Sequence, residues 1–578
     1  MLKKHPWSVL LSFVVMISAL VTILSESKWK NEGGYAFSDA GGYYTYLPAA
    51  FIHHSFAFDT EQSLKHAGLK YTEDEKPFIK YTMGTAFCYT PGFIVAHAFA
   101  SFFKLEADGY SLPYQIAFIC TALFFLFLSL RLSIKILARY YQDTTIALTM
   151  LIVFLGSNYF HYATSYLSYS HIYSFYFILL FIDRCIQALE QLNWKNALYA
   201  GFAFGMMSLI RPVDAIFLLF PILYGVDSVK AFKKRITYLF GHIWQLLLAI
   251  CTAVLIWIPQ LIYNYSIFEK VTINTYKGEQ FFFFDPELWN ILFSFNNGWL
   301  IYTPLMIFGV FGCIYFLRKK EFSWLLISAV YIYVLSAWWC WWYVGFGNRA
   351  FVNLYALLLI PLAHFIAQLR KGKLTFYPFL VLLACGVGLN LFQTYQFEKD
   401  ILRYEAMTFE SYKHAWGKTG NSFEFYDLLE KYDTDYALAG KNVRHTWTYD
   451  TLAILTPEQF QDFYLSKEEM YKGDFKFFIP GTNAIRISAI CDESLDGLST
   501  YLRLIDTSNI TKDEYGTAPA SSYNTDQIKL NFYYRFRFNN IAPSDSFHLF
   551  LYNPDHLQGH IEELKIYALH AKDSLVFE

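Results

Sequence analysis

Long apolar runs recur from residue 6 to about residue 395, joined by short polar stretches. A bilayer needs about 20 apolar residues per spanning helix, so these runs predict a polytopic helical bundle. The first covers Pro6 to Leu24, and further segments cover roughly 113–132, 144–162, 167–182, 197–210, 213–226, 241–263, 299–317, 322–340, 350–369 and 374–395. The pair 197–210 and 213–226 is short and broken by Arg211-Pro212, which suits a hairpin that only dips into the membrane. Beyond it all, "YQFEKDILRYEAMTFESYKHAW" reads as an amphipathic connector over 396–440. After about 440 the period changes to two. "FKFFIPG", "AIRISAI", "YLRLID", "IKLNFYYRFRF", "FHLFLY" and "IEELKIYAL" alternate and are separated by Gly, Pro, Asn and Asp, which predicts an antiparallel β-sandwich over 441–578.

The basic joints fix an expected topology. Lys135/Arg139, Arg184/Lys195, Lys230/Lys233/Lys234/Arg235, Arg318/Lys319/Lys320 and Arg370/Lys371/Lys373 all fall inside if Lys3 and Lys4 are cytoplasmic. The first run is longer than a usual signal-peptide core and no clear small-x-small site follows it, so it reads as a retained helix. The count requires about eleven crossings, with residues 1–395 as the membrane domain. It also requires that "TMGTAFCYTPGFIVAHAFASFF", 82–103, does not cross. Pro91 and Gly92 are expected to split that run into an interfacial element of the first outer loop, 25–112. The expected location is the inner (cytoplasmic) membrane, with the C-terminal β-rich domain periplasmic or extracytoplasmic.

Composition narrows the classes. The chain is 55% hydrophobic and 16% charged, with a net charge of −2, so nucleic acid is not an expected partner. Of eight cysteines only Cys491 lies in the tail, which leaves no disulfide framework there and no CxxC metal pattern. Zinc, P-loop and dinucleotide signatures are also absent.

Against this apolar background the polar residues at the outer ends stand out. "FSDAGGYYTYLPAAF" sets Asp39 beside two glycines and Tyr43, Tyr44 and Tyr46. It reads either as turn chemistry or as a general base with tyrosine walls. Lys80 and Tyr81 precede the 82–103 run, and His171 opens a helix from outside. Arg211 reads as a partner of Asp214 or as a snorkelling residue. Arg349 enters a helix from the outer side, where a charge is costly unless paired. Trp342 and Tyr343 belong to an aromatic group around Cys340 that suits either a pocket wall or an interfacial belt. An acid, several cations and aromatic faces suit a phosphate-bearing lipid donor.

Five segments carry a family likeness: "SDAGGYYTYLPAAF", "KYTMGTAFCYTPGF", "GFAFGMMSLIRPVD", "LFSFNNGWLIYTPLMIFGVFG" and "WWYVGFGNRAFVNLYALLLIPLA". In their order the chain resembles the GT-C superfamily of polytopic glycosyltransferases, which includes the protein O-mannosyltransferases and the lipid A aminoarabinose transferases. The resemblance covers roughly 1–395. It implies a polyprenyl-phosphate sugar donor and action on the periplasmic or lumenal side. It matches Asp39 to the first-loop catalytic acid and Arg349 to the arginine of an "FGxR" segment near the donor phosphate. Many members carry an Asp-Glu pair where Asp39 is followed by Ala40, which leaves Glu73, Asp74 or Glu75 open as a second acid. The tail has no counterpart in the smallest members.

The expected reaction is inverting transfer of a hexosyl or pentosyl group to a glycan, lipid or protein acceptor. Asp39 takes the acceptor proton, and Arg349, with Lys80 or His171, holds the departing phosphate. Tyr43, Tyr44, Tyr46, Tyr81, Trp342 and Tyr343 line the pocket. No cofactor is needed, and a divalent metal is allowed but not required. The rivals are a glycan polymerase or ligase, a lipid or glycan transporter or flippase, and a non-enzymatic scaffold.

Overall fold

The computed structural model describes residues 4–31, 33–58, 65–276, 278–420, 425, 428–430, 432, 434–441, Ser494 and the strands within 447–571. Lys3, expected on the cytoplasmic side, lies outside the described residues. The chain forms two compact units, residues 1–398 with 438–440, and residues 399–437 with 441–578.

The first unit is helical. Among the described residues, six helices are long and apolar enough to cross a bilayer: Pro6–Lys30, Leu112–Leu137, His171–Glu190, Ile243–Phe268, Phe351–Leu369 and Lys373–Glu398. This is fewer than the eleven expected, because several apolar runs are broken. The run at 144–162 forms Asp143–Phe154, a turn, and then Tyr159–Thr164. The run at 299–317 is interrupted before Pro304, which opens a 3₁₀ turn leading into Ile307–Leu317. Ser323–Ser336 is continuous but short. Beyond Arg211, residues 212–223 are a 3₁₀ turn followed by one turn of α-helix.

The 82–103 run differs from expectation in the opposite sense. Gly84–Phe102 is one unbroken helix with Pro91 inside it. An apolar helix tolerates proline where neighbours enclose it, and here Leu112–Leu137 does so. A Cβ on Gly92 would lie 2.8 Å from Thr121 Oγ1, and His97 Nδ1 is 2.6 Å from the Tyr114 hydroxyl. Small residues make the other close helix pair. A Cβ on Gly201 would lie 2.3 Å from the Ala249 carbonyl, so Trp194–Ile210 and Ile243–Phe268 meet backbone to backbone.

Polar contacts divide the helix ends between two faces. At one face, Lys135, Arg139 and Arg184 converge on the buried Asp183, Arg370 donates to Thr145 Oγ1 at 2.7 Å, and Trp7 N donates to Asp143 at 2.7 Å. These are the joints whose basic residues the charge rule grouped together. Leu112–Leu137, His171–Glu190 and Phe351–Leu369 all run from the other face to this one. At that other face Lys28, at the end of Pro6–Lys30, pairs with Glu398 at 2.6 Å. The first and last long helices therefore end together.

The second unit holds two antiparallel sheets among its described residues. One has Gly473–Phe475, Ser546–Tyr552, Ser499–Ile505 and Thr511–Thr517 in that order. The other has Trp447–Leu455, Ile561–Ala571, Ala484–Asp492, Gln527–Arg535 and Ala520–Asn524. Alternation explains the second sheet's core. Leu564 and Ile566 are buried, and so are Ile487, Ala489 and Cys491 on the neighbouring strand. Of the expected strand "FKFFIPG", residues 476–481 lie outside the described residues. In the connector, Phe409–Ala415 is a short helix whose Thr408 hydroxyl accepts from Ser411 N at 3.1 Å.

Candidate active site

Asp39 occupies the first turn of a short helix, Ser38–Tyr44, rather than a free turn. The two glycines after it are packing positions. A Cβ on Gly41 would lie 1.9 Å from the His66 carbonyl, and one on Gly42 would lie 2.4 Å from the Tyr81 ring. Protein backbone and a tyrosine fill the space beside the two glycines. The close approach at Gly42 sets Tyr81 over the helix, and its hydroxyl donates to Asp39 Oδ1 at 2.6 Å.

The second oxygen of Asp39 accepts from Arg349 Nη2. Both side chains are mostly buried. Burial alone would raise the Asp39 carboxyl, but Arg349, the Tyr81 hydrogen bond and Lys80 outweigh it and hold it below its ordinary range. Burial and the Asp39 charge push the Tyr81 phenol well up, so it stays a donor. The Arg349 guanidinium also stacks 5.1 Å from the centre of the Tyr169 ring. Its Nε has no hydrogen-bond partner among the described residues.

The segment 341–350 carries Arg349 and is held from Tyr159–Thr164 and its N-cap. Asn158 Nδ2 donates to the Phe346 carbonyl at 3.1 Å. The Tyr162 hydroxyl accepts from Phe346 N at 3.0 Å, and Asn348 Nδ2 donates to the Trp341 carbonyl at 2.7 Å. Gly345 at φ +147° and Gly347 at φ +58° supply backbone that other residues adopt poorly.

Lys80 lies beside this pair but has its own partner. Its ammonium is 2.6 Å from Glu279 and sits between the rings of Tyr81 and Tyr276. Trp339 Nε1 donates to the other Glu279 oxygen at 3.1 Å. Sequence reasoning missed Glu279 and Tyr276, which lie in a polar stretch with no motif.

The remaining expected residues divide. The Tyr43 ring meets Tyr81 edge to face at 4.8 Å and belongs to the cluster. Tyr44 instead packs against Phe118, Tyr110 and Phe93, and Tyr46 donates to the Tyr81 carbonyl at 2.6 Å and packs on Tyr263. Both support the loop from behind. Trp342 packs edge-on to Trp341 and Trp339, and the carbonyls of Trp342 and Tyr343 accept from Asn297. His171 is buried, with Nδ1 3.4 Å from Asn353 Oδ1. Glu73, Asp74 and Glu75 are exposed on the turn between Lys70–Tyr71 and Pro77–Phe78.

Behind the pair lies a second polar group. Buried Asp214 accepts from Asn353 Nδ2 at 2.6 Å, from the Tyr331 hydroxyl at 2.9 Å and from Ser174. Arg211 Nη1 is 3.5 Å from Ser170 Oγ, which is 3.5 Å from the Tyr43 hydroxyl. Among the described residues no group of three or more His, Cys, Asp or Glu side chains is placed to hold a metal ion.

No family model and no curated protein matches the chain. Among solved structures it is similar to the oligosaccharyltransferase of Archaeoglobus fulgidus in its apo form, at 12% identity and a TM-score of 0.44 over 75% of this chain. It is also similar to the archaeal oligosaccharyltransferase AglB from the same organism, in complex with an inhibitory peptide and a dolichol-phosphate. That match has 13% identity and a TM-score of 0.42 over 76% of this chain. The chain spans about 60% of the length of each.

Proposed function

We propose that this protein is a membrane glycosyltransferase that moves a sugar from a polyprenyl-phosphate donor to an extracytoplasmic acceptor. One observation carries the reading. A buried acid, Asp39, and a buried arginine, Arg349, meet beside tyrosines at one end of the helices, opposite the face rich in basic joints. Such a site suits a donor whose lipid stays in the bilayer while its sugar is presented at the surface.

The acceptor hydroxyl displaces the Tyr81 hydroxyl from Asp39, and the carboxylate takes its proton as the acceptor oxygen bonds to the anomeric carbon. The bond from that carbon to the phosphate oxygen breaks, and polyprenyl phosphate leaves with the bonding electrons. Attack from the opposite face inverts the anomeric centre. Arg349 has spare donor capacity at Nε for the departing charge. The ion pair holding Asp39 makes it a weak base at rest, so substrate must loosen the pair before it acts. The same reading places the second unit outside the cytoplasm in the cell envelope, with its two sheets stacked as a sandwich.

The test is donor consumption. Wild-type protein in nanodiscs, given a labelled polyprenyl-phosphate sugar and a cell-envelope extract, should release polyprenyl phosphate. Asp39→Asn and Arg349→Ala, inserted and folded to the same level, should not. Equal release by all three proteins would overturn the reading.

A further inference from the structure

The helix Val229–Gly241 has no part in the proposed reaction, and none of its residues is buried. Its sequence, "VKAFKKRITYLFG", has three faces at the helical period. Val229, Phe232, Ile236, Leu239 and Phe240 share one apolar stripe, and Lys230, Lys233, Lys234 and Thr237 fall beside it. Arg235 and Tyr238 fall on the third face, and they dock the helix to the bundle. Arg235 donates to the carbonyls of Pro221 at 2.7 Å and Tyr224 at 2.9 Å. The Tyr238 hydroxyl accepts from Leu192 N at 2.9 Å and donates to the Ala188 carbonyl at 2.8 Å. Ser228 caps the start, its hydroxyl accepting from Ala231 N at 3.2 Å. The helix is thus held in place with its stripe uncovered. Val229 is 73% exposed and Phe240 64%, which water disfavours for a contiguous apolar surface.

Its position shows what covers the stripe. His242 joins it directly to Ile243–Phe268, a helix long and apolar enough to cross a bilayer. Trp244 and Leu247 are exposed at the start of that helix, so the stripe continues into a flank that faces lipid. Trp194 is exposed as well, at the start of Trp194–Ile210 and two residues beyond the Leu192 that Tyr238 holds. Exposed tryptophans at the ends of two adjacent apolar helices mark the level of a bilayer interface. Val229–Gly241 lies at that level, on the face of the basic joints, since Ala188 shares its helix end with Asp183 and Arg184.

The lysines decide the kind of surface. Lys230, Lys233 and Lys234 are exposed, and among the described residues none has a carboxylate within ion-pair distance. The helix itself contains no acid. Asp227, just before it, accepts from the Ser228 hydroxyl at 2.9 Å. A neutral leaflet would cover the stripe but leave three like charges crowded along its edge. An anionic leaflet meets both the stripe and the charges.

We infer that Val229–Gly241 is an interfacial helix that seats anionic phospholipid headgroups. Its stripe lies at the acyl boundary of the leaflet on the basic-joint face, and Lys230, Lys233 and Lys234 reach from its edge to the headgroup phosphates. The inference does not depend on the glycosyltransferase reading and concerns the face opposite the Asp39–Arg349 pair.

The experiment reads depth and headgroup preference separately. The full chain, with its native cysteines replaced, carries a fluorophore on Thr237→Cys or Phe240→Cys in phosphatidylcholine nanodiscs. Acrylamide in the water should quench the label at 237 and spare the label at 240. Spin-labelled phosphatidylglycerol should quench the label at 237 at a roughly fivefold lower mole fraction than spin-labelled phosphatidylcholine, the worth of a single lysine at an anionic surface. About 0.5 M salt should remove that preference. Replacing Lys230, Lys233 and Lys234 together by Gln should abolish it, and replacing all three by Arg should keep it. Unfolding temperatures in phosphatidylcholine alone, equal to that of the parent, confirm that the variants fold. If acrylamide quenches both labels alike, the stripe is in water and the inference falls. If the two lipids quench alike, or the Gln variant keeps the preference, the lysines are not the seat. If soluble polyglutamate displaces phosphatidylglycerol at equal charge, the face takes an acidic protein and the lipid assignment is overturned.

Discussion

Asp39 and Arg349 lie 310 residues apart in the chain and share one ion pair, with Tyr81 on the other carboxylate oxygen. From sequence the two looked like separable parts, a base and a phosphate clamp. Their contact makes them a unit, because either one alone is a mostly buried charge without its partner.

A double-mutant cycle should show this. Asp39→Asn should lower transfer by roughly 10²–10⁴-fold, the usual range for a general base. It should also weaken donor binding, because Arg349 loses the group that orients it. Arg349→Ala should impair both steps as well. The double mutant should be little worse than the worse single mutant. Multiplying effects would mean that the residues act independently and that the pair is incidental.

The pair also sets a pH dependence. The folded Asp39 carboxyl titrates below its ordinary range. A depressed folded value stabilises the fold above the unfolded value, about 3.9, and the benefit is lost as pH falls through the lower folded value. The gap in unfolding temperature between wild type and Asp39→Asn should therefore stay constant from about pH 5 to 8 and shrink only below about pH 4. A gap that closes between about pH 5 and 7 would mean that Arg349 does not hold Asp39 in solution.

How far this site was legible depends on the kind of signal. Asp39 and Arg349 were readable one at a time, because a charge in so apolar a chain has few structural reasons to be there. Their pairing was not, since it depends on how distant helices pack. Glu279 was invisible for the same reason: only the folded chain brings it to Lys80. Local rules misled twice. Pro91 looked like a break, but packing on Leu112–Leu137 carries the helix through it. Gly41 and Gly42 looked like turn residues, but they lie in a short helix against which His66 and Tyr81 pack. Strands of the second unit were readable because alternation is itself the burial pattern, as Leu564 and Ile566 show.

Gly345 tests how Arg349 is held. Its φ is +147°, and a Cβ would lie 2.4 Å from the Tyr162 hydroxyl that anchors Phe346. Gly345→Ala should push that anchor away and shift Arg349, four residues on. A misplacement of about 1 Å in a catalytic group can cost on the order of 10²-fold in rate. Transfer by this variant should fall on that scale. Gly388→Ala, where a Cβ meets nothing within 4 Å, should behave as wild type. Equal activity in both variants would show that the 341–350 segment does not need this geometry.

The last prediction concerns which ends share a face. Lys28 and Glu398 pair at 2.6 Å, so the end of Pro6–Lys30 and the end of Lys373–Glu398 lie together. Arg370 instead bonds Thr145, two residues past the Asp143 that holds Trp7 near the chain's start. Between Arg370 and Glu398 runs one helix of 26 residues, about 39 Å long and sufficient for a bilayer core of about 30 Å. In a variant with the native cysteines replaced, Asn31→Cys and Lys399→Cys should react with an impermeant maleimide from the same side. Lys371→Cys should react only from the other. All three positions are exposed. If Lys371→Cys and Lys399→Cys label from one side, the last helix does not cross. Opposite faces for Asn31→Cys and Lys399→Cys would break the Lys28–Glu398 pairing, and with it the placement of Asp39 at the face opposite the basic joints.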